Sequence, residues 1–167
     1  MKNILKCLTF LILVSCNTVS LKKVNEQKNH FNHQIFEENK LAPRANFFAF
    51  ENVDITEKEN SKRFFNLNGS WKFNWVKDPK KRPTTFQHIN YDDSDWKTIP
   101  VPANWEVAGF GNPIYLDERY PFATKWPDAP TDYNPVGTYR KEIILDKNFL
   151  SQDIILHFAG AKSAMYV

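Results

Sequence analysis

The clearest pattern in the chain is an alternation of aromatic and polar residues over positions 71–76. Trp71, Phe73 and Trp75 alternate with polar or smaller residues, and successive side chains of a strand point to opposite faces of the sheet. The pattern therefore predicts a half-buried strand whose three aromatic side chains share one face. The preceding Leu-Asn-Gly-Ser sequence at 67–70 is typical of a turn.

Three later segments also have the composition of strands. Residues 98–101 form a short apolar run closed by Pro102, residues 137–145 form a longer one, and residues 153–158 form another that ends at Ala-Gly. No segment between them has a helical period. With ten prolines in the chain, this spacing of strands and turn residues predicts an all-β sandwich rather than a parallel α/β sheet.

The last residues, 163–167, resemble a strand that enters a core. A sandwich needs further strands to cover both inner faces, and an unpaired apolar edge promotes aggregation. We therefore expect the domain to be incomplete at its C-terminus and the natural chain to continue beyond Val167.

The first fifteen residues resemble a secretory signal peptide. Lys2 and Lys6 lie before an apolar stretch at 8–14, and the small residue Ser15 follows that stretch, directly before Cys16. The stretch is too short for a transmembrane helix, which needs about 20 apolar residues.

Residues 13–16, Leu-Val-Ser-Cys, resemble the bacterial lipobox, in which the cysteine thiol receives a diacylglycerol and becomes the new N-terminus. The resemblance implies an exported lipoprotein anchored to a membrane through Cys16, in the periplasm or on the cell surface. The alternative is an incidental buried cysteine in a plainly cleaved signal. Because the other cysteine, Cys7, lies in the segment to be removed, no disulfide framework is expected.

The remaining chain divides into a polar tether at 16–40, an N-terminal arm at 41–63 and a folded domain at 64–167. The tether contains His30 and His33 at a spacing possible for metal ligands, but without a third ligand a solvated linker is the simpler interpretation. The composition, 42% hydrophobic and 25% charged, fits one globular domain, and the net charge of +3 is scattered. The sequence therefore gives no sign of a nucleic-acid partner.

Six stretches resemble, in order, the N-terminal sugar-binding domain of family 2 β-galactosidases. They are Leu-Asn-Gly-Ser-Trp-Lys-Phe at 67–73, Asp-Asp-Ser-Asp-Trp at 92–96, Val-Pro-Ala-Asn-Trp-Glu at 101–106, Gly-Phe-Gly-Asn-Pro-Ile-Tyr at 109–115 with Tyr-Pro-Phe at 120–122, Asn-Pro-Val-Gly-Thr-Tyr-Arg at 134–140, and Phe-Ala-Gly-Ala-Lys-Ser-Ala-Met-Tyr-Val at 158–167. Each stretch alone is weak evidence, whereas their common order covers nearly everything after Phe64.

The resemblance implies a jelly-roll, galactose-binding-like β-sandwich that leads into immunoglobulin-like domains and a TIM barrel. It implies hydrolysis of terminal β-D-galactose by a retaining mechanism, with two glutamates on the barrel, and it is compatible with a homo-oligomer in the full-length form. Neither glutamate motif occurs in these 167 residues, so no catalytic residue is assigned here. The alternatives are a stand-alone lipid-anchored carbohydrate-binding protein and a module without ligand.

One residue of this chain is expected to touch substrate. In such β-galactosidases the loop between the Ile-Tyr and Tyr-Pro pairs reaches the active site and usually carries an asparagine that contacts the sugar. Position matching places Asp117 there, and an aspartate accepts hydrogen bonds but cannot donate as an amide does. The alternative is a surface ion pair with Arg119 or with a lysine.

Other candidate residues have simpler interpretations. Asp117 and Glu118 would leave an extended segment on opposite faces, so they cannot clasp one glycosidic bond. Asp92, Asp93 and Asp95 lie in one polar turn, where capping of backbone N–H groups is favoured over a calcium loop.

Relatives hold Mg²⁺ with help from a Trp-Glu-Asn-Pro motif, whereas this chain has His-Phe-Asn-His at 30–33, so only Asn32 matches. The resemblance leaves Mg²⁺ possible in the full-length protein, but no metal ligand is assigned here.

Trp105 and Trp126 are candidates for stacking on sugar, although core packing is the commoner fate, as expected for Trp71, Trp75 and Trp96. Arg140 is expected to be structural.

Overall fold

The computed structural model describes residues 32–45, 47–113, 123, 125–130 and 133–167. These residues form three strands: β1 (Gly69–Val76), β2 (Lys97–Val101) and β3 (Val136–Arg140). They also form three short 3-10 helices, at Lys58–Asn60, Pro79–Lys81 and Lys147–Ser151. No described segment is an α-helix, which confirms the all-β prediction, and none is long and apolar enough to cross a membrane as a helix.

The three strands form one antiparallel sheet with the order β2-β1-β3. In the first pairing, Trp71 lies opposite Ile99 and Phe73 opposite Lys97. In the second, Phe73 lies opposite Tyr139 and Val76 opposite Val136. The predicted strand at 71–76 is therefore the central strand, where its aromatic face can contact both neighbours.

The core centres on Phe73, which is only 1% exposed, as is Ile99 of β2. The Phe73 ring lies 4.7 Å from that of Phe110, edge to face, and 4.6 Å from that of Tyr139. Ring pairs at these distances add to the free energy of burial. The alternation predicted from the sequence thus places Phe73 at the centre of an aromatic cluster.

Gly137 lets the segment after β2 approach β3 closely. A Cβ at this position would lie 2.5 Å from Cζ3 of Trp105 and 2.7 Å from Cε2 of Phe73. Both distances are shorter than any van der Waals contact between carbon atoms allows. The missing side chain of Gly137 is therefore the space in which the Trp105 ring packs against the sheet.

Within the N-terminal arm, residues 48–51 fold back on residues 61–64. The Glu51 carboxylate accepts hydrogen bonds from Ser61 Oγ at 2.6 Å and Lys62 N at 2.8 Å. These bonds, of which the one from Ser61 has the larger effect, hold the pKa of Glu51 below its ordinary value of 4.5. The Phe48 ring packs edge to face against those of Phe50 and Phe64. Aromatic packing and a carboxylate cap together fix the arm's end.

Three predicted strand segments are not strands. Strand β3 ends at Arg140, so residues 141–145 continue it only as irregular chain, and residues 153–158 and 163–167 are likewise irregular. Ile144, at 84% exposed, and Ile154, at 56%, are examples of their uncovered side chains. A strand is stable only when its backbone groups have a partner, and no described segment pairs with these residues.

The Gly137 contact can be tested by substitution. Gly137→Ala should destabilise the protein by about 1–3 kcal/mol, because the new methyl group overlaps the Trp105 and Phe73 rings. Gly160→Ala is the matched control, since a Cβ there meets nothing within 4 Å. Both substitutions reduce the entropy of the unfolded chain alike, so the difference between their urea midpoints isolates the overlap. Equal midpoints would contradict this packing.

Candidate functional site

Asp117 lies in the segment 114–122, outside the described residues, but both ends of the surrounding connection are described. On the incoming side, a Cβ at Gly111 would lie only 3.0 Å from Cζ2 of Trp75, and Gly111 has a φ of +71° that favours glycine. On the outgoing side, Lys77 Nζ lies 5.5 Å from the centre of the Tyr133 ring. Both ends are thus fixed at the C-terminal end of β1.

A cleft of about 320 Å³ opens on the incoming side of this connection. Trp75, Trp96 and Phe110 contribute aromatic surface to it, and Asn74, Asp95 and Lys97 contribute polar groups. The ammonium group of Lys97 lies 5.6 Å from the centre of the Phe110 ring. The cleft therefore combines apolar faces with donors and acceptors, as ligand sites commonly do.

Two buried polar atoms in residues lining the cleft have no hydrogen-bond partner among the described residues. They are Asn74 Oδ1, an acceptor, and the indole nitrogen of Trp75, a donor. Leaving such atoms unpaired costs free energy. Because Asn74 and Trp75 are consecutive residues of β1, their side chains point to opposite faces of the sheet, so the two atoms do not share one surface.

Arg140 links the end of β3 to the segment 88–93. Its guanidinium forms an ion pair with the Asp93 carboxylate. It also donates hydrogen bonds to the carbonyl oxygens of Tyr91 at 3.3 Å and His88 at 3.2 Å, and it lies 5.5 Å from the centre of the Tyr91 ring. Lys72 Nζ also donates to the Asp93 carbonyl oxygen at 3.1 Å. Arg140 therefore has the structural role expected from the sequence.

The acidic turn before Trp96 satisfies its own backbone. Asp92 Oδ1 accepts a hydrogen bond from Ser94 N at 3.0 Å, and the hydrogen bonds from Ser94 hold the pKa of Asp92 below its usual range. The Asp93 carboxylate is engaged by Arg140. The geometry thus matches the capping interpretation of this turn rather than a calcium loop.

No ligand set for magnesium is assigned among the described residues. Asn32, the one residue that matches the motif of the relatives, uses its Oδ1 to accept a hydrogen bond from Gln34 N at 3.0 Å. Within the described ranges, no three His, Cys, Asp or Glu side chains come together. Mg²⁺ takes six oxygen ligands, several of them waters, and because no described residue is assigned to hold it, we derive no chemistry through such an ion.

The tryptophans divide into packed and exposed residues. Trp96 is buried, and Trp71 and Trp75 are half-buried. Trp105 is also half-buried: it packs at Gly137, and its indole N–H donates to the carboxylate of Glu106. These positions agree with core packing.

Trp126 is the exception, because it is 81% exposed. The expectation that it packs in the core was wrong. It lies in a tight turn closed by a 2.8 Å hydrogen bond from Asp128 N to the Lys125 carbonyl oxygen, and a turn this short carries its central side chains outward. The sequence signal was Pro127 directly after the tryptophan, which is typical of turns.

Neither residue assigned a role from the sequence lies within the described chain. Cys16, the predicted lipidation site, falls in residues 1–31, and Asp117 falls in 114–122. The sequence did not indicate the cleft, the Asn74 and Trp75 atoms that lack a hydrogen-bond partner among the described residues, or the exposed turn around Trp126.

Comparison with known proteins identifies the family to which this chain belongs. The family described as glycosyl hydrolases family 2, sugar binding domain, matches residues 64–167. The chain therefore belongs to glycosyl hydrolase family 2, through its N-terminal sugar-binding domain. That domain is a β-sandwich, which confirms the predicted fold class.

Individual relatives agree with this assignment. A β-galactosidase of Vibrio cholerae is 41% identical over 101 residues, which cover 60% of this chain and 10% of the relative. One from Halalkalibacterium halodurans is 31% identical over 138 residues, 80% of this chain and 14% of the relative. A β-galactosidase large subunit of Leuconostoc lactis is 33% identical over 153 residues, which cover 80% of this chain and 24% of the relative. The chain thus spans a quarter or less of the length of these relatives.

Proposed function

We propose that this chain is the N-terminal part of an exported β-galactosidase that hydrolyses terminal non-reducing β-D-galactose residues with retention of configuration. The observation that carries the proposal is the match of residues 64–167 to the family 2 sugar-binding domain, together with relatives named β-galactosidases. The cleft beside Trp75, with aromatic faces and polar groups, is compatible with a polar ligand such as a sugar.

The catalytic carboxylates belong, in this proposal, to a barrel outside these 167 residues. Retention requires two carboxyl groups about 5–5.5 Å apart on either side of the glycosidic bond. Among the described acidic residues, Asp93 is held by Arg140 and Glu51 caps the arm. The relatives are several times longer than this chain, which leaves ample length for a separate catalytic domain.

Asp117 is proposed to contact a hydroxyl of the terminal sugar. Its segment begins after Gly111, which packs on Trp75, and the chain rejoins the sheet at Val136, opposite Val76. Anchors on one strand limit where the segment can reach. An aspartate accepts hydrogen bonds from sugar hydroxyls, and its charge affects the protonation of nearby catalytic carboxylates.

Kinetics of the full-length protein test both parts of this proposal. We expect hydrolysis of a nitrophenyl β-galactoside in preference to the corresponding β-glucuronide and β-mannoside. Asp117→Ala should lower kcat/KM for the galactoside by about 10- to 100-fold, because a hydrogen bond to a charged acceptor is lost. Asp117→Asn should lower it less, since the amide still accepts.

Glu118→Gln is the matched control for this experiment, because it changes the neighbouring carboxylate in the same segment. A preference for the glucuronide, or an unchanged kcat/KM in Asp117→Ala, would contradict the assignment. Galactoside binding without any hydrolysis would favour the alternative, a lipid-anchored carbohydrate-binding protein without catalysis.

We further propose that Cys16 carries a lipid anchor. The Leu-Val-Ser-Cys sequence follows an apolar stretch preceded by Lys2 and Lys6, and acyl chains on the cysteine provide membrane attachment by burial of hydrocarbon. The polar residues that follow would then separate the folded domain from the membrane.

Labelling in a bacterial host tests this anchor. Cys16→Ser should abolish incorporation of an alkyne-tagged fatty acid and move the protein out of the membrane fraction, because the acylated thiol is lost. Cys7→Ser should change neither result, since Cys7 lies within the segment removed on processing. A Cys16→Ser protein that remains labelled and membrane-bound would contradict the proposal.

A further inference from the structure

The turn Lys125–Asp128 presents an indole ring to solvent at its tip. Trp126 is 81% exposed, and the turn is closed by the 2.8 Å hydrogen bond from Asp128 N to the Lys125 carbonyl oxygen. Residues Lys125 and Asp128 form an isolated antiparallel bridge. A large aromatic side chain at the tip of an ordered turn is a feature of binding surfaces.

The chain after this turn leads back to the sheet. Ala129 and Pro130 directly after it are half-buried. Tyr133 then lies against the ammonium group of Lys77, and Val136 pairs with Val76 at the end of β1. After the turn, the chain therefore returns to the C-terminal end of β1.

The chemistry of the tip suits a pyranose ring. The indole offers a flat apolar face with a low entropy cost of ordering, which complements the C–H face of a sugar. The exposed Lys125 can donate hydrogen bonds to hydroxyl groups, and the exposed Asp128 can accept them. An aromatic face flanked by a donor and an acceptor is what one sugar unit requires.

Trp126 follows Asp117 by nine residues. Nine extended residues span at most about 30 Å, so the two side chains can engage different rings of one oligosaccharide. We propose that Trp126, with Lys125 and Asp128, forms an outer subsite that stacks on a sugar unit beyond the terminal galactose. The inference rests on the proposed function and adds a preference for oligosaccharide over small substrates.

The first test compares two substrates of the full-length protein. β-Galactosyl fluoride presents only the terminal ring, whereas a β-linked galactotetraose also reaches the outer subsite. Trp126→Ala should raise the ratio of KM for the tetrasaccharide to KM for the fluoride about three- to tenfold. Trp126→Phe, which keeps an aromatic face, should raise it less. Phe36→Ala is the matched control, since Phe36 is an 88% exposed aromatic residue before the matched domain, and it should leave the ratio unchanged.

The second test measures the ring directly. Tetrasaccharide should protect Trp126 from oxidation by N-bromosuccinimide, followed by peptide mass spectrometry, and galactose at the same concentration should protect it less. An unchanged KM ratio without protection would overturn the subsite. Equal increases in both KM values would also overturn it, because they indicate packing against another part of the protein.

The outcomes separate this subsite from the proposed hydrolysis. If the wild-type protein hydrolyses neither substrate but the tetrasaccharide protects Trp126, the subsite stands and the hydrolase proposal fails. If there is neither hydrolysis nor protection, both fail.

Discussion

The structure depends on one close approach, that of the Trp105 ring to the backbone of β3 at Gly137. The ring occupies the space where any other residue would place its Cβ, and it lies 6.2 Å from the ring of Phe73. Phe73 in turn contacts Phe110 and Tyr139. This one aromatic cluster joins the central strand, its neighbour β3 and the segment that follows β2. Burial and the nearby Glu106 carboxylate raise the pKa of the Tyr139 hydroxyl, as expected for a phenol at the edge of such a cluster.

The same cluster positions the proposed sugar-binding segments. Phe110 is adjacent in sequence to Gly111, which precedes the Asp117 segment. Trp75, two residues after Phe73 on β1, packs on that glycine. Tyr139 belongs to β3, to which the chain returns after the Trp126 turn. Residues placed on loops that a rigid sheet supports at both ends are a common arrangement for ligand binding. A change at Gly137 would therefore disturb the sheet and the points at which these segments join it.

The local sequence pattern was sufficient to predict the central strand, but it was insufficient to predict which later apolar segments are strands. Aromatic and polar residues alternate clearly over residues 71–76, and this pattern fits a strand that has a neighbour on each side and one face against the core. Residues 153–158 have an equally apolar composition, yet pairing is a nonlocal property that composition cannot reveal. The exposure of Trp126 depends on a four-residue turn, whereas the expectation of burial rests only on the general tendency of tryptophan to be buried. Asp117 was assigned by matching position in a family motif, which periodicity alone could not have done.

In the proposed function, this region binds and supports the substrate, and residues outside it carry out the chemistry. The most direct test is an assay of the 167-residue chain beside the full-length protein, at equal concentration, on a chromogenic β-galactoside. The account predicts turnover by the full-length protein and none by the 167-residue chain. Turnover by the 167-residue chain alone would contradict it.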